Sequence, residues 1–542
     1  MNILAIFMTA LFVSLGLVPV LRRWALTSGA LDIPDKRKVH KQAIPRLGGI
    51  AIYISYLFAT LVFVDPSREV RGILAGGLVI FVVGLIDDLY GLSSKMKFAG
   101  EIAGVLVTMT IGHLYLFNLG NLFGFGNIVL PLWLAIPFTI FAVVGVINAI
   151  NLIDGLDGLS GSLSVIALAA FMLLAFLDRN SDVMFLCAAL IGAVLGFLKY
   201  NLYPARIFMG DTGSLGIGFV LGFLAILLTQ PSGTNVSPLI PVVILGLPII
   251  DAIWVMTRRV MKGEKPFSPD MTHVHHKFLN LGFEHRFTVI LITGISLFWS
   301  LLAITAFDWP EYLLLLIYLV VSLTFYGLLR YLINHREQYR FMAKDSRDGI
   351  RQTATYSRLS SLIDSTSPLL LALLTVYLLL AVIAGFSAVV KSLWIILACA
   401  AGLVVYWLIR HSHHHSISHS FLKSSFYLSG LIVALLVDGA DGAHPLILQS
   451  EILIFALITT LVIFKALFRR EGEFFVGTPE LVVLTTGVFA LVVFSQIPEL
   501  KHLSSVPIRG GILFLAMNTI LFNWQRIFHK TGTDSPPKTS KL

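Results

Sequence analysis

Five short polar stretches interrupt a chain otherwise dominated by Leu, Ile, Val, Phe and Gly. The richest runs from Asn201 to Ser214 and ends Phe208-Met-Gly-Asp-Thr-Gly-Ser214. Its glycines let backbone approach a ligand closely, and Asp211 is a hard oxygen donor of the kind that holds a cation beside phosphate. The same residue types also make ordinary turns. A second stretch, Asn148-Ala-Ile-Asn-Leu-Ile-Asp-Gly-Leu-Asp-Gly-Leu159, spaces Asn148 from Asn151 and Asp154 from Asp157 so that each pair shares a face of a helical turn. Each Asp precedes a Gly, which suits backbone bent around a ligand. Asp87 and Asp88 close an apolar run and are followed by Lys95 and Lys97. Adjacent acids at a membrane boundary are costly, and these could share a cation or accept a proton. Asp270-Met-Thr-His-Val-His-His276 holds three imidazoles near Lys262, Lys265 and Arg286. The spacing misses the common metal motifs and equally suits a diphosphate, to which such N–H groups donate. The first basic loop carries Lys38, then Ile44-Pro-Arg-Leu-Gly-Gly49. It offers phosphate partners and also serves as a topology signal.

The elements that must position these residues are membrane helices. The chain has 542 residues, 57% hydrophobic and only 13% charged, about half the charge of a soluble protein. Apolar runs predict helices over 3–21, 47–64, 72–86, 98–116, 131–150, 162–177, 182–198, 214–229, 238–257, 287–307 and 312–329. A second set follows over 368–389, 392–409, 425–437, 449–468, 480–497 and 508–525, for about seventeen spans of membrane-crossing length. The fold class is therefore an all-α polytopic integral membrane protein, and strand-like alternation is absent. Residues 3–21 lack a basic start and a cleavage site, so they read as a first span. Most of the 39 Lys and Arg fall in one alternating set of loops, which assigns that set to the cytoplasm. The same set, 22–46, 87–97, 151–161, 199–213 and 258–286, carries the five polar stretches. The formal charge of +9 is thus distributed for topology, anionic lipid and phosphate rather than nucleic acid. Cys187 and Cys399 sit inside apolar runs and read as small buried hydrophobes.

In this order, Arg46-Leu-Gly-Gly49, Asp87-Asp88, Asn148 to Gly158, Phe208 to Ser214 and His273-Val-His-His276 resemble the polyprenyl-phosphate N-acetylhexosamine-1-phosphate transferases. The match covers about residues 1–330, and the family's core has ten or eleven spans. The resemblance implies that undecaprenyl phosphate attacks the sugar-bearing phosphate of a UDP-N-acetylhexosamine, giving polyprenyl-diphospho-sugar and UMP. It implies Mg²⁺, with Mn²⁺ as a substitute, in a bacterial inner membrane with the site facing the cytoplasm. It assigns Asp211 to the metal and puts Asp87, Asp88, Lys97 and, less directly, Lys38 at the phosphates, Asp87 being a candidate base. Arg46, Asn151, Asp154 and Asn201 would line the cleft. Gly155, Leu156 and Asp157 would hold uracil, Phe208 would stack on it, and His273, His275 and His276 would contact the donor. Val274 interrupts the three adjacent histidines of the peptidoglycan branch, and Gly91 replaces its Lys. Both departures point to the GlcNAc-loading branch, with UDP-GalNAc, a modified deoxy sugar or UDP-MurNAc-pentapeptide as alternative donors.

Beyond this core the sequence predicts a basic linker (331–367), a membrane extension (368–529) and a disordered tail (530–542). The extension suits homodimerisation, partner binding or lipid handling, and its residues do not choose among them. The histidines between His411 and His419 read as an exposed polar loop, and Asp438 to His444 as a turn. A transporter would place ionisable groups near mid-membrane on related halves, which this chain does not do. A non-catalytic scaffold would not need the five aspartates.

Overall fold

The computed structural model describes residues 2–32, 43–231, 233–263, 272–335, 366–384, 453–462, 506, 509–517 and 519. The chain divides into two units, Met1–Lys344 and Asp345–Leu542.

The first unit is a helical bundle: α1 (Asn2–Ser28), α2 (Gly48–Phe63), α3 (Arg68–Tyr90), α4 (Ser94–Gly112), α5 (Leu132–Ile153), α6 (Leu159–Leu177), α7 (Ser181–Asn201), α8 (Gly210–Thr229), α9 (Leu239–Ile244), α10 (Gly246–Met261), α11 (Val274–Asn280), α12 (His285–Thr305) and α13 (Glu311–Asn334). Among the described residues, eight helices are long and apolar enough to cross a membrane: α1, α3, α5, α6, α7, α8, α12 and α13. The other predicted spans of this unit are helical too. α2 has 16 residues, α4 carries Lys95, Lys97 and Glu101 in its first two turns, and α9–α10 is broken.

That break corrects the continuous helix expected over 238–257. Pro248 has no N–H to donate to the turn before it, and the helix restarts at Gly246. Two further elements were not foreseen: α11, and a two-residue antiparallel pair, β1 (Leu31–Asp32) with β2 (Ile44–Pro45), that sets Leu31 opposite Pro45. α1 also runs past its expected end through Arg22 and Arg23.

α8 is the axis of the bundle and is buried along nearly its whole length, as an all-apolar helix must be in a protein core. It packs against α2, α3, α5 and α6. Small residues permit the approach, as membrane-helix packing requires. A Cβ on Gly84 of α3 would lie 2.6 Å from the Thr212 Cα, and one on Gly218 would lie 2.7 Å from the Ile147 Cα.

At one end of the bundle the loops are tied to each other. Gln230 accepts from the N–H groups of Phe117 (3.0 Å) and Asn118 (2.9 Å), and Asp178 accepts from Thr234 and Asn235. The polar stretches meet at the other end. Cys187 is buried and free, as expected.

In the second unit, α14 (Ser367–Ala384) lies in the expected span 368–389. Leu370, Leu374 and Tyr377 pack with Ile458, Val462, Leu513 and Phe514. The spans expected over 392–409, 425–437 and 480–497, Cys399, most of the linker, the His411–His419 cluster, the Asp438–His444 turn and the tail lie outside the described residues.

Candidate active site

Neighbouring side chains on a helix point about 100° apart, so Asp87 and Asp88 at the end of α3 cannot do the same work. Asp88 is 2% exposed and turns to the start of α8. Its Oδ1 accepts from the Asp211 N–H (2.9 Å), and its Oδ2 accepts from the Thr212 N–H (2.9 Å) and hydroxyl (2.6 Å). A carboxylate here satisfies helix-terminal N–H groups and suits the positive end of the helix dipole. Gly210, at φ 70°, makes the turn into α8, where a Cβ would strike the Asp88 carboxylate.

Asp87 turns to α4. Its Oδ1 accepts from the Leu92 N–H (2.6 Å), and its Oδ2 lies 3.1 Å from the Lys97 Nζ. The same ammonium donates to Asp211 Oδ1. Lys97 therefore bridges two carboxylates delivered by α3 and α8, although 114 positions separate it from Asp211.

The Arg46-Leu-Gly-Gly49 motif braces this cluster from below. Arg46 donates through Nε (3.2 Å) and Nη2 (3.0 Å) to the Asp88 carbonyl, and its Nη1 is 3.8 Å from Asp32. At the start of α2 the N–H groups of Gly48 and Gly49 donate to the carbonyls of Phe208 (3.0 Å) and Met209 (2.7 Å), and the Phe208 N–H donates to Pro45 (2.7 Å). These groups hold the backbone that leads into Asp211.

The helix expected over 131–150 runs on to Ile153, so Asn151 lies inside α5 rather than in the loop expected over 151–161. Asn148 donates to Glu101 (2.6 Å), and Asn151 accepts from the Ser214 hydroxyl (2.9 Å). Asp154 caps α5. Protein packed around its carboxyl, then the charges of Asp211, Asp88 and Asp157, push it up to about 7. Asp157 accepts from the Ala205 N–H (2.9 Å), while its own N–H donates to His285 (3.1 Å). Asn201, 5% exposed, accepts from the Gly158 N–H and donates to the Ile207 carbonyl, both at 2.9 Å. Asn201 and Asp157 thus stitch the two polar loops together, and Leu156, between Gly155 and Asp157, is buried.

The histidines cap this arrangement. His275 is buried, with Nε2 against the backbone of Gly155, where a side chain would collide with the ring. Burial, then the neighbouring His276, His273 and His285, hold His275 well below the usual imidazole range, so it is neutral. Its ring lies 4.2 Å from that of half-buried His276 and stacks parallel to His273 at 5.9 Å.

Three residues outside the sequence-based set take part. Glu101 is a buried carboxylate one helical turn beyond Lys97, and its signal was a charge of opposite sign at i+4 in an apolar run. Asp251, 2% exposed, bonds His273, and its signal was a lone acid inside an expected span. His285 had no distinguishing pattern. Lys38 lies outside the described residues.

Among the described residues no three His, Cys, Asp or Glu groups form a ready metal cage. The chemistry of the donors nonetheless fits a hard cation, because Asp87 and Asp211 turn oxygens toward one position that an ammonium touches.

The Glycosyl transferase family 4 profile matches residues 70–229, from α3 through α8. A protein from Bacillus subtilis (strain 168) described as a probable undecaprenyl-phosphate N-acetylglucosaminyl 1-phosphate transferase is 35% identical over 308 residues, covering 56% of this chain and 84% of that protein. The chain belongs to this family. An Escherichia coli O157:H7 family member, an undecaprenyl-phosphate alpha-N-acetylglucosaminyl 1-phosphate transferase, is 34% identical, covering 56% of this chain and 84% of its own length. A decaprenyl-phosphate N-acetylglucosaminephosphotransferase from Mycolicibacterium smegmatis is 35% identical, with 49% and 73% covered.

Proposed function

We propose that the chain transfers N-acetylglucosamine 1-phosphate from UDP-N-acetylglucosamine to undecaprenyl phosphate, releasing UMP, as a multi-pass enzyme of the bacterial inner membrane. The observation that carries this reading is Lys97 set between Asp87 and Asp211 where α3, α4 and α8 meet, in a chain whose relatives are named for that reaction.

An oxygen of the lipid phosphate forms a bond to the sugar-bearing phosphorus, and the bond from that phosphorus to the UMP oxygen breaks. The nucleophile is already anionic, so alignment and charge neutralisation carry most of the catalysis. Asp211 and Asp87 are the residues that would hold Mg²⁺, or Mn²⁺ in its place, which when bound neutralises diphosphate charge. Lys97 donates to phosphate oxygens once released from its carboxylates. Asp88 and Arg46 hold Asp211 in place. The Gly155-Leu156-Asp157 backbone and Phe208 offer an edge and a ring to the base, and His276 is the histidine with exposed surface to offer the donor. The neutral, buried His275 instead shapes that pocket.

We place this end of the bundle at the cytoplasmic face, where the basic loops belong. Maleimide labelling of single cysteines at Ser94 and Ser237 in intact cells checks the orientation: only the second should react from outside.

The deciding experiment incubates purified protein, undecaprenyl phosphate and a panel of UDP-sugars with Mg²⁺ and follows UMP. UDP-GlcNAc should give UMP, and chelation should stop it. Asp211→Ala should lower turnover by at least ~10²-fold, the scale of a lost electrostatic catalytic group. No UMP from any donor rejects the reading.

A further inference from the structure

Asp251 sits on α10 inside the bundle and carries three hydrogen bonds from three directions. Its Oδ2 accepts from His273 Nδ1 at 2.8 Å. Its Oδ1 accepts from the Val274 N–H at 3.0 Å and from the Tyr326 hydroxyl at 2.9 Å. Asp251 and His273 are 2% and 4% exposed, and Tyr326, on α13, is 1% exposed. The same node is closed on its other side by Lys277, whose ammonium lies 4.6 Å from the Tyr326 ring centre, while Trp254 stacks on Tyr326 at 5.1 Å. One carboxylate therefore joins α10, the start of α11 and α13.

A carboxylate can only accept, so His273 must present Nδ1–H to it, which fixes the tautomer and leaves Nε2 on the opposite edge of the ring. The plane is fixed as well. It lies 4° from that of His275, whose own Nε2 abuts Gly155 of the Asp-Gly loop. The imidazoles thus form a row whose orientation begins at Asp251 and ends against that loop.

We propose that Asp251, braced by Tyr326, is a positioning residue for donor binding, holding the His273 to His276 segment at the nucleotide-sugar pocket. The inference rests on the transferase reading. Asp251 itself touches no substrate. It acts through His273, as an outer carboxylate does when it orients a ligating imidazole.

Asparagine at this position cannot reproduce the pattern. The Val274 N–H is a fixed donor and claims the amide oxygen, which turns the NH₂ group toward Nδ1 and forces the opposite tautomer on His273. The test is steady-state kinetics of the full chain with UDP-GlcNAc and undecaprenyl phosphate varied separately. Asp251→Asn should raise KM for the UDP-sugar about tenfold, within the range for a lost orienting partner, and leave KM for the lipid unchanged. His273→Asn should behave alike, and the double variant should be no worse than either single one, because the two residues act as a unit. Tyr326→Phe, which removes one bond from the node, should raise the donor KM by a smaller factor and keeps the test open if Asp251→Asn does not fold. An unchanged donor KM in both Asp251→Asn and Tyr326→Phe overturns the inference. So do equal rises in both KM values, or independent, multiplying effects of Asp251→Asn and His273→Asn. Wild-type protein that releases no UMP overturns the transferase reading beneath it.

Discussion

Asp87 and Asp88 are chemically identical neighbours with different work. Asp88 gives both oxygens to the backbone and hydroxyl at the start of α8, whereas Asp87 shares Lys97 with Asp211. Asparagine for Asp88 would set an NH₂ group against N–H or O–H donors. Asp88→Asn should therefore cost roughly 1–3 kcal/mol of stability, the scale of a buried polar group left unsatisfied, and should also abolish transfer by releasing Asp211. Asp87→Asn should lower transfer with a smaller loss of stability, and thermal unfolding beside UMP release separates the two. Asp154 carries a pH prediction. Its carboxyl is raised from an ordinary 3.8 to about 7, so the fold favours the neutral form. The stability this contributes is complete below about pH 4 and is lost as pH rises through about 7. The metal-free protein should thus unfold at a lower temperature at pH 8 than at pH 6, and Asp154→Asn should flatten that difference.

At the scale of elements, the site exists because α8 starts where α2 and α3 can reach it. A Cβ on Gly84 would come within 2.8 Å of the Thr212 N, and one on Gly49 within 2.7 Å of the Thr212 carbonyl carbon. Helix backbones cannot yield locally at such crossings, so the whole start of α8 would shift. Gly84→Ala should destabilise the bundle by about 1–3 kcal/mol, the usual cost of overpacking. It should also lower turnover, although the substituted side chain touches no substrate. Circular dichroism melts and UMP release on one preparation check both. The elements also show why some expectations needed correction. Hydropathy locates a run of apolar residues, yet Pro248 breaks one such run into α9 and α10. Asn151, expected in the loop over 151–161, lies inside α5, where its side chain finds a partner in Ser214 of α8.

At the scale of the molecule, the family profile and the site lie within the first unit, Met1–Lys344. The second unit has its own apolar cluster around Leu370, Tyr377 and Leu513. A protein ending at Lys344 should therefore insert and retain most of its UMP release in detergent. Loss of turnover in that shortened chain, with insertion intact, would tie the extension to the chemistry.

The sequence by itself determined that this chain is an all-α membrane protein. It located most helices of the first unit, eight of them long and apolar enough to cross a membrane, to within a few residues at most ends. It also placed the polar stretches at one end. Those features are local, because a helix in hydrocarbon must be apolar and must satisfy its backbone within itself. Only the tertiary structure decided which carboxylate serves α8 and which serves Lys97. It likewise decided that Asn201 and Asp157 bind backbone, and that Asp251 stands behind His273. The longest of those pairings joins residues 124 positions apart. They depend on how helices cross and rotate about their axes, which is settled by packing at Gly49, Gly84 and Gly218 rather than by the hydropathy of any one segment.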